Sequence, residues 1–186
     1  MLFTPTGLAG LIVVEPKVFE DDRGYFFEAY SHKNFSSEGI AVDFVQDNQS
    51  KSGYGVVRGL HYQKPPYAQS KLVRVLSGAI LDVAVDIRRG SPGFGKAFLI
   101  ELSAENKKQL FIPVGFAHGF SVISETAEVL YKCDAFYNKQ SEGGIVYNDP
   151  GLSIDWGIPP DKIIVSEKDR LLPTFEACAG DFTYSG

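Results

Sequence analysis

The chain has 186 residues, of which 44% are apolar and 22% are charged, and its formal net charge is −5. These proportions are typical of a globular protein and exclude a disordered or fibrous chain, and the length favours one domain over residues 1–186. The acidic charge argues against nucleic acid as a partner, and no apolar run reaches the roughly 20 residues that a membrane span needs. Because no basic segment precedes the first apolar run, we expect no signal peptide and a cytoplasmic protein.

Strands dominate the predicted elements, because the clearest periodicity of apolar residues is two and not 3.6. In chain order, the strand candidates are residues 11–14, 25–30, 44–48, 56–60, 72–76, 81–87, 96–102, 109–112, 120–124 and 127–135. Short helical turns are predicted only at residues 32–38 and 103–106. About ten short strands without helices between them predict an all-β jelly roll with short peripheral helices.

Polar side chains are concentrated in three segments that otherwise read as strands. They are residues 22–28, residues 46–63 together with Lys71, and residues 113–120. The interior of a jelly roll favours Val, Ile and Leu, so Arg, His, Gln and Lys in these places predict a cavity lined by polar groups. The alternative is that these side chains lie on the solvated faces of their strands.

The pattern P-x-G-x-x-H at residues 113–118 resembles the second conserved motif of the cupin superfamily, whose metal-binding members use about three histidines and a carboxylate. The companion His-x-His motif is missing, because His61 stands in the run HYQ, and Val122 replaces the expected asparagine. Two histidines without a paired motif are too few for a usual zinc or iron site. The sequence therefore predicts a cupin-like jelly roll without a metal.

Acid–base chemistry is the reaction type that the remaining residues favour. The chain has no nucleophile elbow, no glycine-rich phosphate loop and no dinucleotide fingerprint, so the sequence indicates neither a nicotinamide site nor an ATP site. The candidate acids and bases are His61, Lys71, His118, Tyr131, Glu28, Glu142 and Asp169.

Several segments are together similar to one known family. They read DDRGYFFEAY, FVQDNQS, GVVRGLHYQKPPYAQSKLVRVLSGAILDVAVDIRRGSP, IPVGFAHGFSV, EVLYKCDAFYN, NDPGLSIDW and SEKDR. This set resembles the dTDP-4-dehydrorhamnose 3,5-epimerases over about residues 11–173. RGLHYQ followed by KLVRV and IP-GFAHGF is its most specific part, and the residues after Pro173 resemble nothing that we can place.

The resemblance implies a cupin jelly roll that forms a homodimer and needs neither cofactor nor metal. Its implied reaction is the epimerisation of dTDP-4-dehydro-6-deoxy-D-glucose at C3 and C5 to dTDP-4-dehydro-L-rhamnose, in dTDP-L-rhamnose biosynthesis for cell-surface polysaccharide. Carried over by matching motif, His61 is the base and Tyr131 is the acid on the opposite face of the sugar ring. Asp169 orients His61, and Lys71 lies near the ketone oxygen.

The resemblance also implies a set of substrate contacts. They are Arg23, Phe26, Glu28, Gln46, Asp47, Asn48, Arg58, His118, Tyr137, Glu142 and Lys168. In this set Arg23 and Arg58 resemble the pyrophosphate contacts, and Phe26 and Tyr137 are aromatic walls for the base or the sugar.

The implied reaction explains these residue types. C3 and C5 both flank the carbonyl, so a base can remove either proton to give an enolate, and imidazole is the side chain suited to this near neutral pH. A carboxylate behind the imidazole fixes its tautomer, and a nearby cation stabilises the enolate oxygen. Inversion needs a second, separate acid on the other face, and arginine suits a diphosphate.

The spacing of Arg58 and His61 is a difficulty. They are three residues apart, so an unbroken strand directs them to opposite faces. Either a bulge near Gly59 turns both toward one cavity, or Arg58 serves a different pocket, such as that of a partner subunit.

Three other functions stay open at this point. The chain could epimerise only C3 or only C5 of a related dTDP-4-keto-deoxysugar, or it could bind a sugar nucleotide without turnover. A metal-dependent cupin oxygenase is the remaining alternative.

Overall fold

Strands form most of the regular structure in the computed structural model of the chain, which describes residues 1–178 and 180–185. The strands are β1 (Leu2–Pro5), β2 (Ile12–Glu15), β3 (Phe19–Asp21), β4 (Gly24–Phe26), β5 (Gln46–Gly53), β6 (Val57–Gln63), β7 (Lys71–Ser77), β8 (Ala79–Asp86), β9 (Arg88–Arg89), β10 (Ala97–Ser103), β11 (Gln109–Ile112), β12 (Phe116–Val122), β13 (Thr126–Cys133), β14 (Glu142–Gly144) and β15 (Phe182–Thr183). The short helices are α1 (His32–Ser37), α2 (Glu167–Arg170) and α3 (Phe175–Cys178), with 3₁₀ turns at Lys139–Ser141 and Pro160–Lys162.

Two antiparallel sheets face each other and enclose the core. One sheet has six strands in the order β1-β2-β11-β7-β13-β5, and the other has five in the order β10-β8-β12-β6-β14. Their inner faces meet in an apolar cluster that includes Val73 and Val129 from the first sheet and Ile80 and Phe120 from the second. The all-β jelly roll that the sequence predicts is therefore confirmed, and the helices are short and peripheral as expected.

Both sheets are also covered on their outer faces. Phe35 of α1 packs on the outer face of the six-stranded sheet against Leu72, and Trp156 from the C-terminal part of the chain packs outside the five-stranded sheet with Val83 and Val85. The period of two in residues 81–87 therefore does not separate a buried face from a solvated one. Asp82 lies on the inner face of β8 and is as fully buried as Val83 and Val85 on the outer face.

The predicted elements differ from the observed ones mainly at their ends. The strand predicted over residues 25–30 is only the second half of a small hairpin, β3–β4. The predicted helical turn at residues 103–106 is a turn without a helix, in which the Asn106 backbone N–H donates to Ser103 Oγ at 3.0 Å. The turn predicted at residues 32–38 is α1, and Ser31 caps its start. No helix in the described part of the chain is long and apolar enough to cross a membrane.

Candidate active site

A cavity of about 570 Å³ lies between the two sheets, and side chains from both sheets line it. The five-stranded sheet contributes His61 from β6 and His118 from β12, while the six-stranded sheet contributes Lys71 from β7 and Tyr131 from β13. The two histidines therefore face the lysine and the tyrosine from the opposite wall.

His61 is held by a buried carboxylate. Its Nε2 lies 2.8 Å from Oδ1 of Asp169, whose side chain is only 6% exposed. Asp169 is itself fixed, because its N–H donates to Ser166 Oγ at 3.1 Å and its Oδ2 accepts from the Gly59 N–H at 3.3 Å. Burial raises the pKa of Asp169, but the hydrogen bonds, led by that of His61, outweigh burial and leave the pKa below its ordinary value. An ionised Asp169 accepts the proton on Nε2, which leaves Nδ1 of His61 for proton transfer.

Tyr131 and Lys71 stand side by side on the opposite wall. The Lys71 ammonium lies 5.7 Å from the centre of the Tyr131 ring. Burial is the main cause of a raised pKa for the Tyr131 hydroxyl, so this hydroxyl stays protonated at neutral pH. It makes no hydrogen bond to any other residue that the structure describes, so it is free to meet a ligand. Burial lowers the pKa of Lys71, and the charge of Asp82 is among the influences that oppose this.

A bulge in β6 brings Arg58 into the same cavity as His61. His61 pairs with His118, but Arg58 pairs with Phe120, so β6 contains one more residue than β12 over this stretch. The extra residue reverses the alternation of faces, and both side chains line the cavity. The structure therefore supports the first of the two explanations for their spacing, a bulge near Gly59.

Asn48, Tyr137, Glu142 and Lys168 line one side of the cavity, and hydrogen bonds connect them to one another and to Gln46 outside the lining. Tyr137 donates its hydroxyl to Glu142 at 2.9 Å, and Lys168 donates to both oxygens of Glu142 at 2.8 Å. The hydrogen bond with Lys168 is the main cause of a lowered pKa for Glu142. Gln46 accepts from the Tyr137 N–H at 3.0 Å and donates to Asn48 Oδ1 at the same distance. These five predicted contacts are therefore connected to one another.

Three predicted contacts lie outside this cavity. Arg23 and Phe26 belong to the β3–β4 hairpin, where Arg23 pairs with Asp21 and Phe26 is 70% exposed. Glu28 follows the hairpin and accepts a hydrogen bond from Asn34 at 2.8 Å. None of the three lines the cavity of its own chain.

Asp47 also lies away from the cavity. It alternates with Asn48 along β5, and its carboxylate accepts hydrogen bonds from Lys132 at 3.0 and 3.1 Å. The structure therefore gives Asp47 an ion pair on the face opposite the cavity.

Two further features of the site were not predicted. Oδ1 of Asp82 lies 2.8 Å from Nε2 of His118, which lines the cavity. In the sequence, the only sign of this pair is that Asp82 alternates with apolar residues in β8. A carboxylate on the solvated face of a strand shows the same pattern. The segment after Leu172 also contributes to the lining, including Pro173 and Asp181. No sequence motif marks it.

Within residues 1–178 and 180–185, no three His, Cys, Asp or Glu side chains are grouped as ligands for a metal ion.

Comparison with known proteins identifies the family. A family model described as dTDP-4-dehydrorhamnose 3,5-epimerase matches residues 5–177. A protein of that name from Pseudomonas aeruginosa is 54% identical over 171 residues, which cover 91% of this chain and 93% of that protein. The crystal structure of a dTDP-4-dehydrorhamnose 3,5-epimerase from Elizabethkingia anophelis is 55% identical, with a TM-score of 0.92 over 96% of this chain and 98% of that one. The structure of a dTDP-6-deoxy-D-glucose-3,5-epimerase from Legionella pneumophila, in complex with dTDP-4-keto-L-rhamnose, is 43% identical, with a TM-score of 0.93 over 100% and 99% of the two chains. With this fold, this cavity and these relatives, the chain belongs to the dTDP-4-dehydrorhamnose 3,5-epimerase family.

Proposed function

We propose that the protein is an isomerase that inverts C3 and C5 of dTDP-4-dehydro-6-deoxy-D-glucose and so produces dTDP-4-dehydro-L-rhamnose. The observation that carries this proposal is the His61–Asp169 pair on one wall of a cavity whose other wall holds Tyr131 and Lys71. The family membership and the keto-rhamnose complex of the Legionella relative support the substrate class.

The first step is removal of a proton next to the ketone. His61 accepts the proton from C3 or C5 on its Nδ1, and the C–H electron pair moves into the ring to form an enolate. Asp169 keeps the other nitrogen protonated and stabilises the imidazolium that forms. The enolate oxygen gains negative charge, which the Lys71 ammonium stabilises.

The second step is protonation from the other face. Tyr131 belongs to the sheet opposite His61, so its hydroxyl can deliver a proton to the face that His61 did not deprotonate. This delivery inverts the carbon centre and leaves Tyr131 as a phenolate and His61 as an imidazolium. Proton exchange with water restores both groups before the second centre reacts. A phenol whose pKa is raised by burial holds its proton until the enolate takes it.

We propose that the nucleotide part of the substrate binds where two copies of the chain meet. Arg58 offers a guanidinium at the cavity for the diphosphate. Arg23, Phe26 and Glu28 do not line the cavity of their own chain. The exposed aromatic hairpin that carries Arg23 and Phe26, and that Glu28 follows, is typical of an interaction surface. A homodimer in which each hairpin reaches the partner's cavity gives all three residues a ligand role.

The setting of the reaction is also a proposal. We place the protein in the cytoplasm, in dTDP-L-rhamnose biosynthesis for a cell-surface polysaccharide. The two cysteines are free thiols, which suits a reducing compartment.

Incubation with dTDP-4-dehydro-6-deoxy-D-glucose in heavy water tests the proposed reaction. We expect NMR to show deuterium at both C3 and C5 and a product of the L-lyxo configuration, and we expect neither with the His61→Ala variant. Deuterium at one carbon only would instead select a single-site epimerase. Binding of the nucleotide sugar without exchange at either carbon would contradict the proposal.

A further inference from the structure

Asp82 is a buried carboxylate at the back of the candidate active site. Its side chain is completely inaccessible to solvent, and Oδ1 lies 2.8 Å from Nε2 of His118. Its Oδ2 has no hydrogen-bond partner among the residues that the structure describes. A buried carboxylate with so few partners is costly to fold around, so a purely structural role explains it poorly.

Asp86, on the same strand, shows how the fold satisfies a structural carboxylate. It is equally buried, but its two oxygens accept hydrogen bonds from the Arg88 guanidinium and from the Ser91 hydroxyl. Among the residues that the structure describes, Asp82 has no such cation bound to it and is hydrogen-bonded only to His118, which lines the cavity. This contrast distinguishes Asp82 from Asp86, the other acid of β8.

The hydrogen bond determines which nitrogen of His118 carries a proton. Nε2 is the ring nitrogen that faces the carboxylate, and if it donates to Oδ1 the proton lies on Nε2 and the lone pair on Nδ1. Burial lowers the pKa of His118, and although Asp82 opposes this, the neighbouring Lys71 and His61 add to the lowering. His118 is therefore a neutral ring at neutral pH, with Nδ1 as an acceptor.

The position of His118 gives this acceptor a use. His118 pairs directly with His61 across the β6–β12 ladder, and both rings line the cavity. A group that binds the sugar at His118 therefore binds it next to the base.

We propose that Asp82 is a positioning residue for the epimerisation described above, on which this inference rests: it holds His118 as the Nε2–H tautomer, so that Nδ1 accepts a hydrogen bond from a hydroxyl of the bound sugar. That hydrogen bond fixes the ring with its reacting C–H bonds toward His61. His118 contacts the substrate, and Asp82 acts only through His118.

Long-range ¹H–¹⁵N correlation spectra of the imidazole rings test the tautomer without any substrate. The signals of His118 are assigned with the His118→Asn variant. We expect the parent protein at pH 7 to show His118 with its proton on Nε2 alone. A proton on Nδ1, or on both nitrogens, would overturn the proposal, and this measurement needs no substitution at Asp82.

The kinetic test uses Asp82→Asn, which keeps the size of the side chain but can either accept from His118 or donate to it. We expect kcat to fall about tenfold to a hundredfold with little change in KM, as when the outer partner of a functional histidine is lost. The spectra should then show both tautomers of His118. Glu101→Gln, which alters an exposed carboxylate of the neighbouring strand β10 outside the cavity lining, should leave kcat within about twofold.

The outcomes separate the two proposals. Absence of proton exchange in the parent protein would contradict the proposed function itself. Normal exchange in the parent together with unchanged kcat in a folded Asp82→Asn variant would contradict only the role of Asp82.

Discussion

Single residues at this site depend on the groups behind them. His61 is 42% exposed and reaches the cavity, whereas Asp169 is buried and meets only the far side of the ring. Thus one side chain contacts the ligand, and the other sets the tautomer of the first. Asp169 lies behind the base, His61, and Tyr131 lies on the opposite wall of the cavity. The roles of the two residues can therefore be tested separately.

Asp169→Asn should lower kcat roughly 10³- to 10⁴-fold with KM changed less than about threefold, because the amide no longer enforces the reactive tautomer or stabilises the imidazolium. Steady-state kinetics with the keto sugar measure both constants. Glu167→Gln removes an exposed carboxylate from the same short helix and should have no effect. Equal losses in the two variants would show that the helix, and not the pairing with His61, matters.

Tyr131→Phe should separate proton removal from inversion. His61 and Asp169 remain, so deuterium exchange continues, but without the acid on the other face the proton returns to the side from which it left. We expect inversion to fall at least about a hundredfold while exchange with retained configuration persists. NMR distinguishes the two products, and the exposed Tyr54→Phe is the control. Full inversion by the variant would assign the acid to another residue.

Among the elements, the bulge in β6 decides the composition of the site. Gly59 has φ of +123°, and a Cβ at this position would lie 2.5 Å from the Cα of Gly119 in the adjacent strand. Glycine therefore lets two strands approach closely at the point where Arg58 and His61 turn to the same side.

Gly59→Ala should cost at least about 2 kcal/mol of unfolding free energy, because the new methyl group meets backbone atoms and the backbone conformation disfavours any Cβ. Urea denaturation measures the loss. The matched control is Gly53→Ala at the end of β5, where a Cβ would have its nearest contact at 3.9 Å and φ is not in the left-handed region. A cost below about 0.5 kcal/mol is expected there. Similar costs at both positions would contradict the role given to the close approach.

The elements also show which structural features the sequence patterns predict and which they miss. Alternation predicts that residues 127–135 form a strand, and the observed strand covers Thr126–Cys133. Tyr131 and Val129 share a face of this strand, as the alternation also predicts. The same alternation in residues 81–87 does not reveal that both faces of β8 are covered, because covering depends on chain segments remote in sequence. Strand ends are missed for a related reason, since they are set by pairing with neighbouring strands.

At the scale of the whole molecule, the main question is whether one chain contains a complete site. The cavity holds the proposed proton-transfer groups and Arg58, while Arg23, Phe26 and Glu28 are exposed on another surface. A net charge of −5 makes such local placement of cations necessary, because the protein as a whole does not attract a diphosphate.

Heterodimers of His61→Ala and Arg23→Ala subunits test the shared site. If Arg23 acts in the partner's cavity, one of the two sites contains both native residues, and such a heterodimer should keep roughly half of the parent activity. Two tags on co-expressed subunits allow its purification, and each variant homodimer is the control. Activity no higher than that of the Arg23→Ala homodimer would place Arg23 in the site of its own chain, and a monomeric mass would contradict the dimer.

The sequence by itself determined the fold class and the family, because period-two alternation, turn residues and local motifs such as RGLHYQ are properties of short segments. Of the residues that the sequence singled out, His61, Lys71, His118 and Tyr131 are among those that line the cavity. Only the tertiary structure decided that a bulge at Gly59 brings Arg58 beside His61, that Asp82 stands behind His118, and that the segment after Leu172 closes part of the site. Each of these depends on contacts between strands or segments far apart in the chain, and no single segment contains the information that specifies them.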